Sequence, residues 1–152
     1  MCRRRASRGL AGDYREIEVP AGALAEVVTY LEMCAPPAGS PYGASGHAPW
    51  RLERRDPPDV DWYLALYREI GEEWLWHSRL ALPRAALARM LAAADVEIYA
   101  LTRDSRDVGL AELNFAEPGA VEIAFFGVGA SEIGSGAARW LMAATLARAW
   151  AE

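Results

Sequence analysis

The chain has 152 residues, 53% of them hydrophobic and 24% charged, a balance that supports one domain with a buried core and excludes a disordered polymer. A net charge of -5 leaves no basic footprint for nucleic acid, and no stretch is apolar for the ~20 residues that a membrane-spanning helix needs. All 16 basic residues are Arg; with so much Ala, this reads as genomic base composition.

Residues 1–22 read as a tail and residues 23–152 as the domain. The tail carries Arg3, Arg4, Arg5 and Arg8, but no apolar run follows, so it is not a secretory signal. Cys2 and Cys34 show no pairing pattern and imply reduced thiols in a cytoplasmic setting. His47 and His77 have no further ligands at metal-binding spacing, so no metal site is expected.

Ala25–Met33 is β-branched and aromatic and predicts a strand. Cys34–Pro49, rich in Pro, Gly and Ser, predicts a loop. Trp50–Arg54 alternates apolar with charged, the pattern of a half-buried strand. Asp59 or Asp61 then caps a helix whose Trp62, Tyr63, Leu66, Tyr67 and Ile70 share a face, and Gly71 ends it. Trp74 and Trp76 follow. Pro83 opens a second helix with Leu87, Met90, Leu91 and Ala94 on its apolar side.

Three strands come next: Val96–Leu101, Val108–Phe115 and Val121–Val128. The links between them, Asp104–Asp107 and Glu117–Gly119, are short enough to require antiparallel neighbours. A last helix spans about Gly136 to Ala151.

The segment from Val121 onward carries the chemistry. A strand leads through the small residues Gly129–Ser135 into a helix. The first turn of a helix leaves backbone N–H groups unpaired within an area of positive potential, and small residues let a phosphate reach them. Gly134 and Gly136 can adopt the positive φ that a concave N–H nest requires. The spacing is not that of a Walker A loop, and a dinucleotide fold would put its glycines after the first strand of a parallel sheet. The loop by itself is equally well read as a plain strand-to-helix turn. Likewise, Glu122 can be a general base or an outward-facing strand carboxylate, with Glu112 as second candidate. The aromatic residues can line a site or a core.

The order of elements resembles the GNAT N-acetyltransferase superfamily. Its pyrophosphate motif, Gln/Arg-x-x-Gly-x-Gly/Ala, falls on Ile133, Gly134, Ser135, Gly136, Ala137 and Ala138. A bacterial group of that superfamily is similar through Tyr30-Leu31-Glu32-Met33, Leu66-Tyr67, Gly71, Trp74-Leu75-Trp76, Glu122, Phe126-Gly127, Arg139-Trp140 and Ala149-Trp150. The resemblance spans roughly Tyr30 to Trp150. It departs at Ala130-Ser131, where the group has Pro-Glu, and at Ser135, where it has Arg or Lys.

The resemblance implies an α+β fold: a mixed, mostly antiparallel sheet flanked by helices. It further implies that the chain stops before the strand, helix and hairpin that complete such a domain, so that the family's Tyr general acid has no counterpart. The implied activity is transfer of an acetyl group from acetyl-CoA to a small-molecule or peptide amine. Phe126, Gly127 and Val128 would run beside the pantetheine, residues 133–138 would hold the pyrophosphate, and Glu122 would serve as base. Tyr67, Trp74 and Trp76 would border the acceptor. The alternative is a non-catalytic acyl-CoA-binding or protein-interaction module. A truncated product without stable function is a third reading. An uncovered sheet edge would also invite self-association.

Overall fold

The computed structural model describes residues 18–23, 25, 29–37 and 49–151. The chain divides into two units, residues 1–37 and 38–152. In the first unit, Ala23 N–H donates to the Pro20 carbonyl at 3.0 Å, closing a turn through Gly22 at φ +82°. The strand expected over Ala25–Met33 is not formed at its described positions, 25 and 29–33; residues 26–28 lie outside the described residues. Tyr30 and Leu31 are both exposed. β propensity reports fit to a pleated, half-buried surface, and among the described residues no ladder supplies one here. Cys34 is disulfide-bonded, against the expectation of reduced thiols. His47, the Arg-rich tail and most of the Pro/Gly/Ser loop lie outside the described residues.

The second unit contains the regular structure. Strand β1 (Trp50–Arg55) precedes helix α1 (Val60–Gly71), a 3-10 turn (Glu72–Trp74) and helix α2 (Arg84–Leu91). Strands β2 (Val96–Arg103), β3 (Arg106–Asn114) and β4 (Glu122–Val128) follow, then a second 3-10 turn (Ala130–Glu132) and helix α3 (Ala137–Ala149). The four strands form one sheet in chain order, antiparallel at each junction, in line with the mostly antiparallel sheet and short links expected.

Local chemistry explains most of these boundaries. The Asp59 carboxylate accepts from Trp62 N–H at 2.9 Å and caps α1 as expected. Gly71 ends α1 because Trp76 folds back over it: a Cβ there would lie 2.5 Å from the Trp76 side chain. Trp76 N–H donates to the Gly71 carbonyl at 3.0 Å, and Leu75 sits at φ +58° to make the turn. The β2–β3 hairpin turns on Asp104 and Ser105 alone, both at positive φ, as a two-residue hairpin requires. The strands therefore extend further into this turn than Leu101 and Val108.

Each face of the sheet holds a core. On one face α1 and α2 bury Tyr63, Leu66, Tyr67, Ile70, Leu87 and Leu91 against Ile98 and Leu110. On the other, α3 buries Ala137 and Leu141 against Tyr99, Leu101, Ala111 and Leu113, with Phe126 and Val128 at the margin.

Candidate active site

β4 is the element on which the site depends. Leu113 pairs with Ile123 and Glu112 pairs with Phe125, so Ala124 is an extra residue. This bulge puts Phe125 against the α1 face while both Ile123 and Phe126 face α3. Bulges bend a strand, break its ladder and re-aim side chains, and they concentrate beside active sites. β4 is also the end strand of the order β1-β2-β3-β4, so among the described residues its outer edge has no partner strand.

The strand leads directly to the glycine turn. Gly129 N–H donates to the Val108 carbonyl at 2.8 Å and pins the end of β4 to β3. Gly134 and Gly136 adopt φ of +79° and +95°, the left-handed conformation expected of a nest. Nothing lies within 4 Å of the Cβ position of Gly134. Ile133, Ser135 and Ala138 are exposed, while Ala137 is buried against the sheet. Helix α3 begins with no acidic residue in its first turn, which leaves its dipole uncancelled for an anion, and Arg139 lies in that turn. Left-handed glycines at an exposed helix start are features that suit an anion. Three of the turn's N–H groups are already engaged: Ile133 N–H donates to the Ala130 carbonyl at 3.3 Å, Ser135 N–H to the Glu132 carbonyl at 3.1 Å and Ala137 N–H to Ser135 Oγ at 3.1 Å.

Glu132 stabilises the turn from below, and nothing in the sequence singles it out. It is 4% exposed. Its carboxylate accepts from Trp50 Nε1 at 3.0 Å, from Ser135 Oγ at 3.0 Å and from the Arg103 guanidinium at 3.1 Å. Burial would raise its pKa, but the hydrogen bonds from Trp50, Ser135 and Arg103, with the Arg103 charge, outweigh burial and hold it below the ordinary carboxylate value.

The two candidate carboxylates occupy different environments. Glu122 is exposed at the first position of β4, opposite Asn114. It lies four residues before Phe126, roughly 13 Å along a strand, so it reaches the far end of β4 only through water. Glu112 is 1% exposed. One of its oxygens accepts from Tyr63 Oη at 2.6 Å and the other from Arg79 at 2.5 Å. Burial first, then the charge and hydrogen bond of Glu112, push the Tyr63 phenol far above its ordinary pKa, so it stays protonated and donating.

The aromatic residues divide in the same way. Tyr63 and Tyr67 are fully buried and stack at 5.8 Å, so Tyr67 cannot border an acceptor directly. Trp76 is half-buried, 5.2 Å from the Tyr67 ring and 5.0 Å from Phe125. It roofs Gly127, whose Cβ would meet Ile70 at 2.5 Å and Trp76 at 3.3 Å. Trp74, at 68% exposure, and Leu75 are open to solvent between α1 and α2. Arg79 lies over the Phe125 ring at 4.7 Å and ties this connection to the strand. Among the described residues no cluster of His, Cys, Asp or Glu could hold a metal, and no helix is long and apolar enough to cross a membrane.

The chain is similar in structure to an aminoglycoside acetyltransferase from an uncultured soil metagenomic sample, solved in complex with sisomicin. The TM-score is 0.57 at 15% sequence identity, over 67% of this chain and 70% of that one. The fold is GNAT-like. The antiparallel sheet and flanking helices put the bulged strand and the glycine turn one after the other in the chain. No family model matches the chain, and no curated protein matches it in sequence.

Proposed function

We propose that the chain is an acetyl-CoA-dependent N-acetyltransferase acting on a small-molecule or peptide amine. The observation that carries this reading is the bulged strand β4, whose outer edge has no partner strand among the described residues, running into a turn whose Gly134 and Gly136 open α3. A solved acetyltransferase of similar fold, crystallised with sisomicin, supports it.

Acetyl-CoA, when bound, supplies an activated acyl thioester. The chain's own residues do the rest. Within residues 133–138, the N–H groups of Gly134, Gly136 and Ala138, with the dipole of α3, hold the pyrophosphate and take the place of charged side chains, while the internal bonds of Ile133, Ser135 and Ala137 shape the turn around it. The backbone edge of Phe126, Gly127 and Val128 aligns the pantetheine as an added strand would align, and an N–H there polarises the carbonyl. Glu122, through water, takes the proton from the acceptor ammonium so that a neutral amine attacks the thioester carbonyl; the C–N bond forms as the C–S bond breaks, and the departing CoA thiolate takes its proton from solvent. Exposed Trp74 and the edge of Trp76 border the acceptor, and Tyr67 backs Trp76. A binding module without turnover is the second reading. It is favoured by Glu112, whose two oxygens are both engaged, which leaves only distant Glu122 as a base.

Two measurements test the proposal. Titration with CoA should show binding that Gly134→Asp weakens, since it sets a carboxylate against the phosphates; equal affinities would remove the pyrophosphate assignment. An acetyl-transfer assay should show Glu122→Gln slower by about a hundredfold or more below the acceptor's pKa, where the amine needs a base. A pH–rate profile that the substitution leaves unmoved would reassign Glu122 to structure.

A further inference from the structure

Glu132 has no part in the family resemblance, yet it is the most heavily bonded group beneath the turn. We propose that Glu132 is the positioning residue of the phosphate turn: held by Trp50 and Arg103, its carboxylate fixes Ser135, whose hydroxyl accepts from the first N–H of α3, so the Gly134–Gly136 nest is formed before ligand arrives. This rests on the proposed function, and it adds a relay within that site.

The relay is set by what each group can donate. Ser135 has one hydroxyl proton, and its acceptors are the Glu132 carboxylate at 3.0 Å and the Glu132 carbonyl at 2.7 Å. With that proton committed to Glu132, the hydroxyl oxygen turns its lone pairs to Ala137 N–H at 3.1 Å. Ser135 therefore acts as acceptor at the helix start, and its own N–H donates to the Glu132 carbonyl at 3.1 Å. The Ser135–Glu132 bonds close across Gly134 and the Ala137–Ser135 bond closes across Gly136, the two left-handed glycines and the most permissive backbone in the segment. Glycines that are free to leave φ +79° and +95° would have to be reordered by the ligand; glycines already fixed there would not. The anchor is remote and rigid: Trp50 belongs to β1 and Arg103 to β2, and Trp50 packs on Trp140 of α3 at 6.4 Å. Arg103 also balances the Glu132 charge, which removes the repulsion a lone carboxylate would present to phosphate.

The test uses the full chain and CoA as probe. Glu132→Gln replaces an acceptor by an amide that faces Arg103 with a donor. It should raise the CoA dissociation constant about tenfold, the loss of one charge-assisted hydrogen bond. Ser135→Ala, at an exposed position, should also weaken CoA binding. In the Ser135→Ala background, Glu132→Gln should then add little, because the relay is already cut. The indole N–H resonance of Trp50, assigned by its absence in Trp50→Phe, should shift when CoA is added to the wild type and move less in Ser135→Ala. Fully additive losses, or a Ser135→Ala chain that binds CoA as the wild type does, would overturn the relay. If Glu132→Gln does not fold, the Ser135→Ala affinity and the Trp50 resonance still decide. A wild-type chain that fails to bind CoA removes the proposed function and the relay together; a wild type that binds, with variants that bind equally well, removes the relay alone.

Discussion

Tyr63 donates its phenolic proton to Glu112 at 2.6 Å in the middle of the α1 face, 49 residues away in sequence. Both groups are buried, and Arg79 holds the second Glu112 oxygen. A carboxylate taken out of water is tolerated only when its oxygens are satisfied, so these three residues stand or fall together. Their effect is to fasten the connection between α1 and α2 onto β3 and β4, because Arg79 follows Trp76 in that connection and lies over Phe125.

The first prediction follows directly. Tyr63→Phe keeps the ring and its stack on Tyr67 but leaves one Glu112 oxygen short of a donor. The cost should be about 1–3 kcal/mol in urea unfolding. A loss below about 0.5 kcal/mol would show that water replaces the phenol and that the contact contributes little.

The second concerns Gly127, which the resemblance assigns to the pantetheine strand. Its position has a packing reason as well: Trp76 and Ile70 rest where a side chain would start. Gly127→Ala should cost about 1–3 kcal/mol, the range for overpacking a filled core, and should change Trp76 fluorescence. An alanine variant as stable as the wild type, with an unaltered emission spectrum, would show that α1 and Trp76 have room to move.

How much of this was legible beforehand depended on whether the signal was local. The cap at Asp59, the helical spacing of Tyr63, Leu66, Tyr67 and Ile70, and the tight link at Asp104–Ser105 each act within a few residues, and the helices and strands of the second unit follow from them. Gly134 and Gly136 were readable for the same reason, since positive φ is a property of glycine itself. Glu132 was not readable. Its main donor, Trp50, stands 82 residues away, and a buried glutamate has the same one-letter pattern as a solvated one. Which of Glu112 and Glu122 would be buried was hidden too. The extra residue Ala124 changes the register between β3 and β4, and nothing in Ile123-Ala124-Phe125-Phe126 announces a bulge. Ala25–Met33 differs in the opposite direction: strand propensity is present, but at the described positions, 25 and 29–33, no strand forms.

The third prediction is the acid limb of stability. Burial would raise the pKa of Glu97, but hydrogen bonds from Arg148 and Tyr99 and the charges of Arg148 and Arg54 outweigh it and lower the value below 4.5. Glu132 is lowered by its own partners in the same way. A carboxylate with a depressed folded pKa stabilises the fold fully above its unfolded value and loses that contribution as pH falls through the folded one. Stability should therefore be level with respect to these two groups at neutral pH and decline from about pH 4.5 downward. Glu97→Gln should lower stability at pH 7 and make the acid decline shallower. Parallel acid limbs for wild type and variant would show that Glu97 has the same affinity for protons folded and unfolded.

The last prediction concerns the outer edge of β4. Backbone groups on an unpaired edge template pairing with another chain, and the hazard is greatest where the flanking side chains are apolar and carry no charge. Along β4, Ile123, Phe125, Phe126 and Val128 are only partly buried, and the one charged residue, Glu122, stands at the start of the strand. The bulge at Ala124 blunts this edge near its middle but leaves the stretch from Phe125 to Val128 regular. The isolated chain should therefore self-associate with rising concentration, as measured by sedimentation or light scattering. Ala124→Lys should reduce that association, because a charge on an edge strand discourages pairing. Excess CoA should reduce it as well if the pantetheine occupies the same backbone edge, and the dose dependence should follow the CoA binding curve. Association that CoA leaves unchanged while Ala124→Lys abolishes it would place the ligand off this edge. A monomer at every concentration would show that the edge is covered in solution.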